Sequence, residues 1–443
     1  MAWDDFEHDM QRCTRCSYCK WIPWRFMEST DFMQGCPSIA RYNFHAYSAG
    51  GRYNISYSLM QNRLEIDDSF LDVVYKCLMD GSCDVACKMQ QDLEPLQHMQ
   101  DLRIKCVEEG QVPLEHVPII RSLRKEDNMV EGFRSERGEW ADGLDVKRVA
   151  EAPAEVLYHA GCRYSYDREL WPVARAGVDL LRRAGVDVGI MGRAEVCCAG
   201  RAYELGYVGE MVKFAQSHAE NLRSRGVKAI VTPCADCYAS FKVLYDKIGM
   251  KLAIPVFHIA EYLEGLIAEG ALQPRKAPGM RVTYHDPCHL GRLAEPWIHW
   301  NGKEVKPPNA QIWLHDPPKK YRRGTGGVYD TPRNIIRSLP GVDFVEMYRI
   351  REYAWCCGAG GGVSETYPDF ALWTGAERLR EAQAVGAEAV VSACPWCKKN
   401  LTDAAAEVGY DIQVLDIIEL LQEACGGDAS GNRHAVNGRE DRR

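Results

Sequence analysis

The chain has no long apolar run. None of its 443 residues lies in a stretch approaching the roughly 20 apolar residues of a membrane span. The opening segment, MAWDDFEHDM, lacks the basic-then-apolar pattern of a secretion signal. A cytoplasmic location is expected, with membrane association only through a partner subunit. Cationic charge is not in excess either. The balance of 54 Lys and Arg against 62 Asp and Glu gives a net charge of −8, which speaks against a nucleic-acid partner. A dinucleotide fingerprint is also missing. The longest glycine-rich run, residues 358–362 (GAGGG), carries Val363 where the third fingerprint glycine would stand, and it starts at a cysteine pair. No flavin motif is present either.

What the chain does have is cysteine. Nineteen stand in an otherwise ordinary composition, 46% hydrophobic and 26% charged. The length allows about three domains. Without a secretory context, that many thiols point to metal ligation rather than to disulfides. The spacings C-x2-C-x2-C, CC and C-x2-C agree, because short loops aim several thiolates at one point.

In residues 1–121, Cys13, Cys16 and Cys19 form C-x2-C-x2-C, and Cys36 follows later, ahead of Pro37. A second set reads Cys77, Asp80, Cys83 and Cys87. Ferredoxin ligand runs have the form C-x2-C-x2-C-x3-C, with the fourth cysteine serving the other cluster. On that template Asp80 stands where a cysteine is expected. One cubane [4Fe-4S] cluster would take Cys13, Cys16, Cys19 and Cys87. The other is left with Cys36, Cys77 and Cys83. Asp80 is its fourth ligand, or marks the vacancy of a [3Fe-4S] cluster, or is a helix-end cap with no role at iron. A carboxylate is a harder ligand than thiolate and would hold iron more loosely. A zinc knuckle is the competing reading, but two interleaved triplets with distant fourth partners fit iron–sulfur better. Apolar spacing over 69–79 and 95–110 predicts amphipathic helices, and β-branched runs are scarce, so an all-helical ferredoxin domain is expected. Cys106 and Cys425 match no ligand template. Cys106 reads as a buried thiol, in reserve should Asp80 not be a ligand.

Residues 122–152 are polar and aperiodic and read as an extended surface linker. Beyond them the chain repeats itself. EVLYHAGC (155–162) aligns with RVTYHDPC (281–288), KAIVTPCADC (228–237) with EAVVSACPWC (388–397), and VFHIAEYLEGL (256–266) with VLDIIELLQEA (414–424). The first copy, expected over 153–274, carries Cys162, Cys197, Cys198, Cys234 and Cys237. The second, expected over 280–425, carries Cys288, Cys356, Cys357, Cys394 and Cys397. Strand-like starts, helical stretches at 170–185 and 370–386, and the buried runs AIVT and AVVS predict an α/β layer in each copy. The cysteines fall at strand C-termini, where open α/β sheets place their sites. A Pro-rich, aromatic insertion at 295–326 belongs to the second copy alone and reads as a lid, a docking arm or a passive loop. Residues 426–443 read as a disordered tail. Adjacent cysteines point in diverging directions, so each CC pair suits two neighbouring irons of an irregular cluster. The glycines of 358–362 permit close backbone approach, and their N–H groups are placed to bond cluster sulfur.

DPCHLGR, VYDTPRNIIRSLPGVDF, CCGAGGG and CPWC make the chain similar to the CCG-domain (cysteine-rich) Fe–S oxidoreductases of the heterodisulfide reductase family. The first copy departs in having Ala199 where the pattern has glycine. A helical ferredoxin ahead of two CCG copies resembles the fused arrangement of that family's D-type subunits. The resemblance implies one noncubane [4Fe-4S] cluster on each set of five cysteines. The two clusters would face each other where a disulfide or thiol substrate is cleaved or formed, with the ferredoxin clusters relaying electrons. It also implies partner redox subunits, flavin-containing or membrane-bound, of an anaerobic complex such as class II benzoyl-CoA reductase or a sulfur-metabolism complex. In other branches the module serves electron transfer only, and the motifs do not separate these. His159, His285, His289, Asp236 and Asp286 are candidate proton donors or ordinary buried groups. Tyr203, Glu204, Arg201 and Arg292 are candidate contacts for an anionic substrate.

Overall fold

Helices build the N-terminal part of the computed structural model, which describes residues 7–223, 226–308 and 314–426. They are α1 (Glu7–Arg12), α2 (Pro37–Tyr42), α3 (Ala49–Met60), α4 (Asp68–Tyr75), α5 (Ser82–Lys88), α6 (Pro95–Glu108) and α7 (His116–Glu126). Asp67 caps α4 by accepting the Phe70 N–H at 2.8 Å. The helix ends before Cys77, and two left-handed residues, Met79 (φ 52°) and Gly81 (φ 77°), turn the chain. Cys77 and Asp80 therefore sit in a loop, while Cys83 lies in the first turn of α5.

Each repeated half is a parallel sheet wrapped by helices. The first comprises β1 (Lys147–Arg148), β2 (Val156–Tyr158), α8 (Gly161–Tyr166), α9 (Trp171–Arg183), β3 (Val188–Ile190), α10 (Gly200–Glu204), α11 (Val208–Arg223), β4 (Ala229–Thr232), α12 (Ala235–Ala239), α13 (Tyr245–Lys247), β5 (Val256–His258) and α14 (Ile259–Ala268). The second comprises β6 (Arg281–Tyr284), β7 (Lys303–Val305), β8 (Leu314–Asp316), α15 (Asp330–Ser338), β9 (Asp343–Phe344), α16 (Val363–Thr366), α17 (Pro368–Ala384), β10 (Ala389–Ser392), α18 (Pro395–Val408), β11 (Gln413–Asp416) and α19 (Ile417–Ala424). Strand order is β1-β3-β2-β4-β5 in one and β9-β6-β10-β11 in the other, every pair parallel. Leaving out β1, the two orders are the same. The central strands AIVT and AVVS are buried along their whole length, as parallel strands covered on both faces must be.

The two helical stretches expected at 170–185 and 370–386 are both helices but occupy different places in their copies. The 170–185 stretch is α9, in the crossover after β2, and its equivalent is α15 after β6. The 370–386 stretch is α17, ahead of β10, and its equivalent is α11 ahead of β4. Amphipathic helices look alike in periodicity, so only the strand order tells them apart. Residues 122–152 are not a surface connector throughout. Helix α7 extends into them, Lys147–Arg148 adds a strand to the first sheet, and Arg137, Trp140 and Ala141 are buried. The insertion contains the antiparallel ribbon β7–β8, with residues 309–313 outside the described part, as are residues 427–443 of the tail. No helix among the described residues is long and apolar enough to cross a membrane.

One guanidinium ties the three parts together. Arg103 of α6 is fully buried and donates to the carbonyl oxygens of Cys77 (2.8 Å), Gly361 (2.8 Å) and Glu204 (3.1 Å). The copies also meet at Asp416. It caps α19 as His258 caps α14, each within a capping box closed by Glu419 or Glu261. The Asp416 Oδ2 atom accepts from the Tyr164 hydroxyl of the first copy at 2.8 Å.

Burial pushes the Asp416 carboxyl up to about 7, against the downward pull of the Ile418 N–H. A folded-state pKa above the unfolded value gives stability that is complete below about pH 4 and lost as pH rises to about 7. Asp416→Asn removes that ionisation. Its stability relative to the parent, measured by urea unfolding, is expected to rise by about 2–4 kcal/mol from about pH 4 to about pH 8. A difference that stays flat with pH would contradict this.

Candidate metal centres

Every cysteine of the two copies follows the C-terminal end of a strand. Cys162 and Cys288 come after β2 and β6, the CC pairs after β3 and β9, and Cys234 and Cys394 cap α12 and α18 after β4 and β10. All ten are buried, and all nineteen cysteines of the chain are free thiols. Their side chains link in one unbroken run. In the first copy it passes Cys162, Cys197, Cys198, Cys237 and Cys234. It crosses to Cys394 and continues through Cys397, Cys357, Cys356 and Cys288. The order is palindromic, so the two sites meet head to head at Cys234 and Cys394.

Ionisation is uneven along the run, with Cys162, Cys198, Cys394 and Cys357 favoured as thiolates over their neighbours. Hydrogen bonding from Cys197 draws Cys162 down to about 7, and from Cys356 draws Cys357 down to about 6, while burial pushes Cys234 and Cys397 up. Ten sulfurs this close cannot all become thiolates unless cations lie among them. A buried, all-thiol donor set of this kind fits iron–sulfur ligation. Backbone N–H groups already aim at it. The Ala199 N–H donates to Cys197 Sγ at 3.2 Å and the Gly358 N–H to Cys356 Sγ at 3.4 Å, both from left-handed turns. Ala199 takes the glycine position at a cost of about 1 kcal/mol. At Gly358 a Cβ would lie 2.2 Å from the Ala371 carbonyl oxygen, so no side chain fits.

The ferredoxin cysteines form two groups. Cys13, Cys16, Cys19 and Cys87 are electrostatic neighbours, with Cys16 exposed at the surface. Cys36, Cys77 and Cys83 gather with Asp80 further in. Asp80 is buried, and its Oδ2 accepts from Arg292 Nη2 at 2.8 Å, while Oδ1 faces the Ser82 N–H and hydroxyl at 3.3 Å. Arg292 also donates to the carbonyl oxygens of Asp80, Glu352 and Ala354, and it neighbours Cys288 and Cys356. The pair thus sits between the inner ferredoxin group and the second CCG set. The glycine run lies there too. A Cβ at Gly360 or Gly361 would come within 2.5 Å of the Leu78 or Cys77 carbonyl oxygen, so these glycines let the two domains touch backbone to backbone. Cys106 lies apart, among Phe70, Val74 and Leu102, where burial pushes its thiol up to about 12.

At the junction of the copies, four of the weaker sequence candidates converge. His289 Nε2 is 2.6 Å from Glu204 Oε1, and its Nδ1 is 3.2 Å from Asp236 Oδ1 and 3.4 Å from Cys288 Sγ. Burial opposes a charge on His289, but Asp236 and Glu204 outweigh it and hold the ring protonated. Arg201 completes the group, 3.9 Å from Asp236 and stacked 3.8 Å over Trp396. Asp286 is elsewhere, clamped by Arg333 at 2.7 and 2.9 Å. Tyr203 faces an outer cleft of about 830 Å³, walled by α6 and by Trp297, Trp300 and Arg322 of the insertion. His159 and His285 are buried against the thiols of their own copies; burial and the neighbouring Arg378 charge push His285 down to about 3.

Fold and thiol geometry together define an iron–sulfur oxidoreductase. The 4Fe-4S dicluster domain family matches residues 9–90, and the cysteine-rich CCG domain family matches residues 156–242 and 314–402. The chain is 31% identical over 428 residues to the D-type subunit of the Dihydromethanophenazine:CoB--CoM heterodisulfide reductase of Methanosarcina mazei, covering 94% of each. It belongs to the family of heterodisulfide reductase D-type subunits. More distant similarity links it to the EtfAB:quinone oxidoreductase of Syntrophomonas wolfei, 26% identical, with 96% of this chain and 59% of that protein covered. A subunit of the Fumarate reductase (CoM/CoB) of Methanothermobacter marburgensis is 28% identical, with 80% and 62% covered.

Sequence reading missed Arg137, in the segment taken for a linker. It is 0% exposed, and both its Nη atoms lie 3.7 Å from Cys162 Sγ. It donates to Glu195 Oε1 at 3.0 Å, and the Glu195 carboxylate in turn accepts the N–H groups of Ala160 and Gly161, each at 3.0 Å. Trp140, a large apolar residue in a polar stretch, was the only local signal that this segment is buried. Arg137→Leu would strand the buried Glu195 charge and is expected to cost about 3–5 kcal/mol in chemical unfolding. Adding Glu195→Gln should recover part of that loss. Additive losses in the double variant would show that the pair is not coupled.

Proposed function

We propose that this chain cleaves or forms a disulfide at two noncubane [4Fe-4S] clusters, one on each set of five cysteines, within a multi-subunit complex. The observation that carries this reading is the unbroken run of ten thiols crossing between the copies at Cys234 and Cys394. Clusters bound there would supply single electrons from two adjoining places. Cleaving a disulfide consumes two electrons and two protons and releases two thiols, so paired one-electron donors suit it. His289, held between Glu204 and Asp236, keeps a proton 3.4 Å from Cys288 Sγ. The names of two relatives, a heterodisulfide reductase and a fumarate reductase (CoM/CoB), support thiol–disulfide chemistry.

Electrons enter at the exposed group of Cys13, Cys16, Cys19 and Cys87, which we assign to a cubane [4Fe-4S] cluster. Arg15 and Lys20 stand beside His45 close by, which favours an acidic docking face on the redox partner. The route continues to Cys36, Cys77 and Cys83, over the Gly360–Gly361 contact to the second CCG centre, and then to the first. Arg292 occupies the Asp80 carboxylate, so the inner ferredoxin group offers three thiolates, and we assign it a [3Fe-4S] cluster.

Anaerobic purification is expected to give about fifteen irons per chain with matching sulfide, rising to about sixteen in Asp80→Cys with loss of the oxidised three-iron EPR signal. Stoichiometric zinc without sulfide would reject the whole reading. An unchanged iron count and spectrum in Asp80→Cys would reject the three-iron site alone. Adding thiol to the oxidised protein should produce a new EPR signal; silence towards every thiol would leave electron transfer as the sole role.

A further inference from the structure

The duplication sets a histidine at the same point in both copies, and the two face their sites with opposite polarity. His159 and His285 each follow the tyrosine that ends a strand, and each stands three residues before the first cysteine of its copy. They are 2% and 0% exposed. In both, Nε2 is buried without a hydrogen-bond partner. Leaving such a group unsatisfied costs about 1–3 kcal/mol. Two orphans at matching positions beside two thiol sets point to a partner that the site itself provides when loaded.

What each Nε2 offers is settled at the other side of the ring. Nδ1 of His285 meets Nε of Arg378 at 3.2 Å. A guanidinium can only donate, so Nδ1 is the acceptor and the ring hydrogen resides on Nε2. A ring nitrogen of His285 and the Sγ atoms of Cys357 and Cys397 lie within 4.8 Å of one another. With Nδ1 engaged by Arg378, Nε2–H is the group left for sulfur. Nδ1 of His159 instead faces Oε2 of Glu195 at 3.7 Å. That is too long for a hydrogen bond, but the negative charge favours the hydrogen on the near nitrogen, Nδ1, and so a lone pair on Nε2. The difference traces to two positions, because Glu195 stands two residues before its CC pair where the second copy has Ala354, and Arg378 stands where the first copy has His218. Arg378 and His218 both stand sixteen residues before the first cysteine of their C-x2-C pair. His218 bonds the Cys197 carbonyl oxygen at 3.0 Å through Nε2 and only meets the His159 ring edge-on.

Resting on the reading that each set of five cysteines holds an iron–sulfur cluster, we propose that His285 donates an Nε2–H hydrogen bond to sulfur on the Cys357–Cys397 side of the second cluster. His159 lacks the arginine that fixes this polarity, and the Glu195 charge favours the opposite one. Hydrogen bonds to cluster sulfur stabilise the reduced state, so His285 raises the reduction potential of its cluster. The same tautomer bars His285 from iron, because a nitrogen that carries hydrogen has no lone pair to give. Arg378 is then a positioning residue that sets the polarity of the ring.

The test is an EPR-monitored redox titration of anaerobic protein, with iron and sulfide contents matched between variants. His285→Leu is expected to lower the midpoint of one centre, and His285→Gln, which keeps a donor, to restore part of the shift. His159→Leu should produce no such downward shift. An unmoved midpoint in His285→Leu, or an equal fall in His159→Leu, overturns the proposal. Pulsed EPR of protein labelled with nitrogen-15 histidine is expected to show a weak coupling that His285→Leu removes; a coupling as large as that of an iron-bound nitrogen also overturns it. Parent protein that binds no iron and sulfide would strike the underlying reading instead, so the two failures are told apart.

Discussion

The constraint on which the structure depends is the burial of ten thiols, each beside the next in a single run. Sulfurs so crowded repel one another once ionised, and a low-dielectric surround makes that repulsion larger. The protein answers with groups that favour charge on sulfur. Strand C-termini bring the cysteines to one edge of each sheet, and the N–H groups of Ala199 and Gly358 donate to Cys197 and Cys356. Arg137 stands beside Cys162, and Arg292 beside Cys288 and Cys356. None of these cations is bare: Glu195 answers Arg137 and Asp80 answers Arg292. The result is a field that is cationic next to sulfur yet nearly neutral over a longer range, which a site receiving electrons one at a time requires.

Duplication supplied the frame, and divergence supplied the difference between the two sites. The backbone of the copies agrees in strand order, in the placing of all five cysteines, and in the capping boxes of α14 and α19. The side chains packed behind the cysteines do not agree. A cap is His258 in one copy and Asp416 in the other; the residue facing the strand-end histidine is Glu195 in one and Arg378 in the other. Such differences, with Glu195 standing where the second copy has Ala354 and Arg378 where the first has His218, leave the strand order unchanged. They change the sign of the nearest charge, and with it the properties of the site.

Much of this was legible in the sequence because it is local. Spacing within a few residues set out the cysteine groups, and apolar runs ending at a cysteine placed the strands. The order of aligned segments exposed the duplication. What stayed hidden depends on partners far apart in the chain. Arg137 reaches Cys162 and Glu195 from a segment with no periodicity, and no local pattern marks it. Asp80 stands where a ligand is expected, and nothing local announces that Arg292, 212 residues away, pairs with its carboxylate. The glycines at 360 and 361 looked like cluster-facing donors. Their closest neighbours are the Cys77 and Leu78 carbonyl oxygens, because what they relieve is a clash between domains that have no sequence relation.

That contact and the ion pair beside it are best understood together. Electron transfer between the inner ferredoxin group and the second CCG set, as proposed, would need close approach, and the glycine run permits it by keeping side chains out of the interface. Close approach also puts a buried arginine next to a ferredoxin ligand loop. A thiolate at position 80 bound to iron would share its charge with the metal and leave Arg292 poorly compensated, and an uncompensated buried charge costs several kcal/mol. A carboxylate matches the guanidinium directly, at 2.8 Å through Oδ2. In the function proposed above, Asp80 would then serve both ends, standing where a fourth thiolate is missing at one site and neutralising a cation at the next.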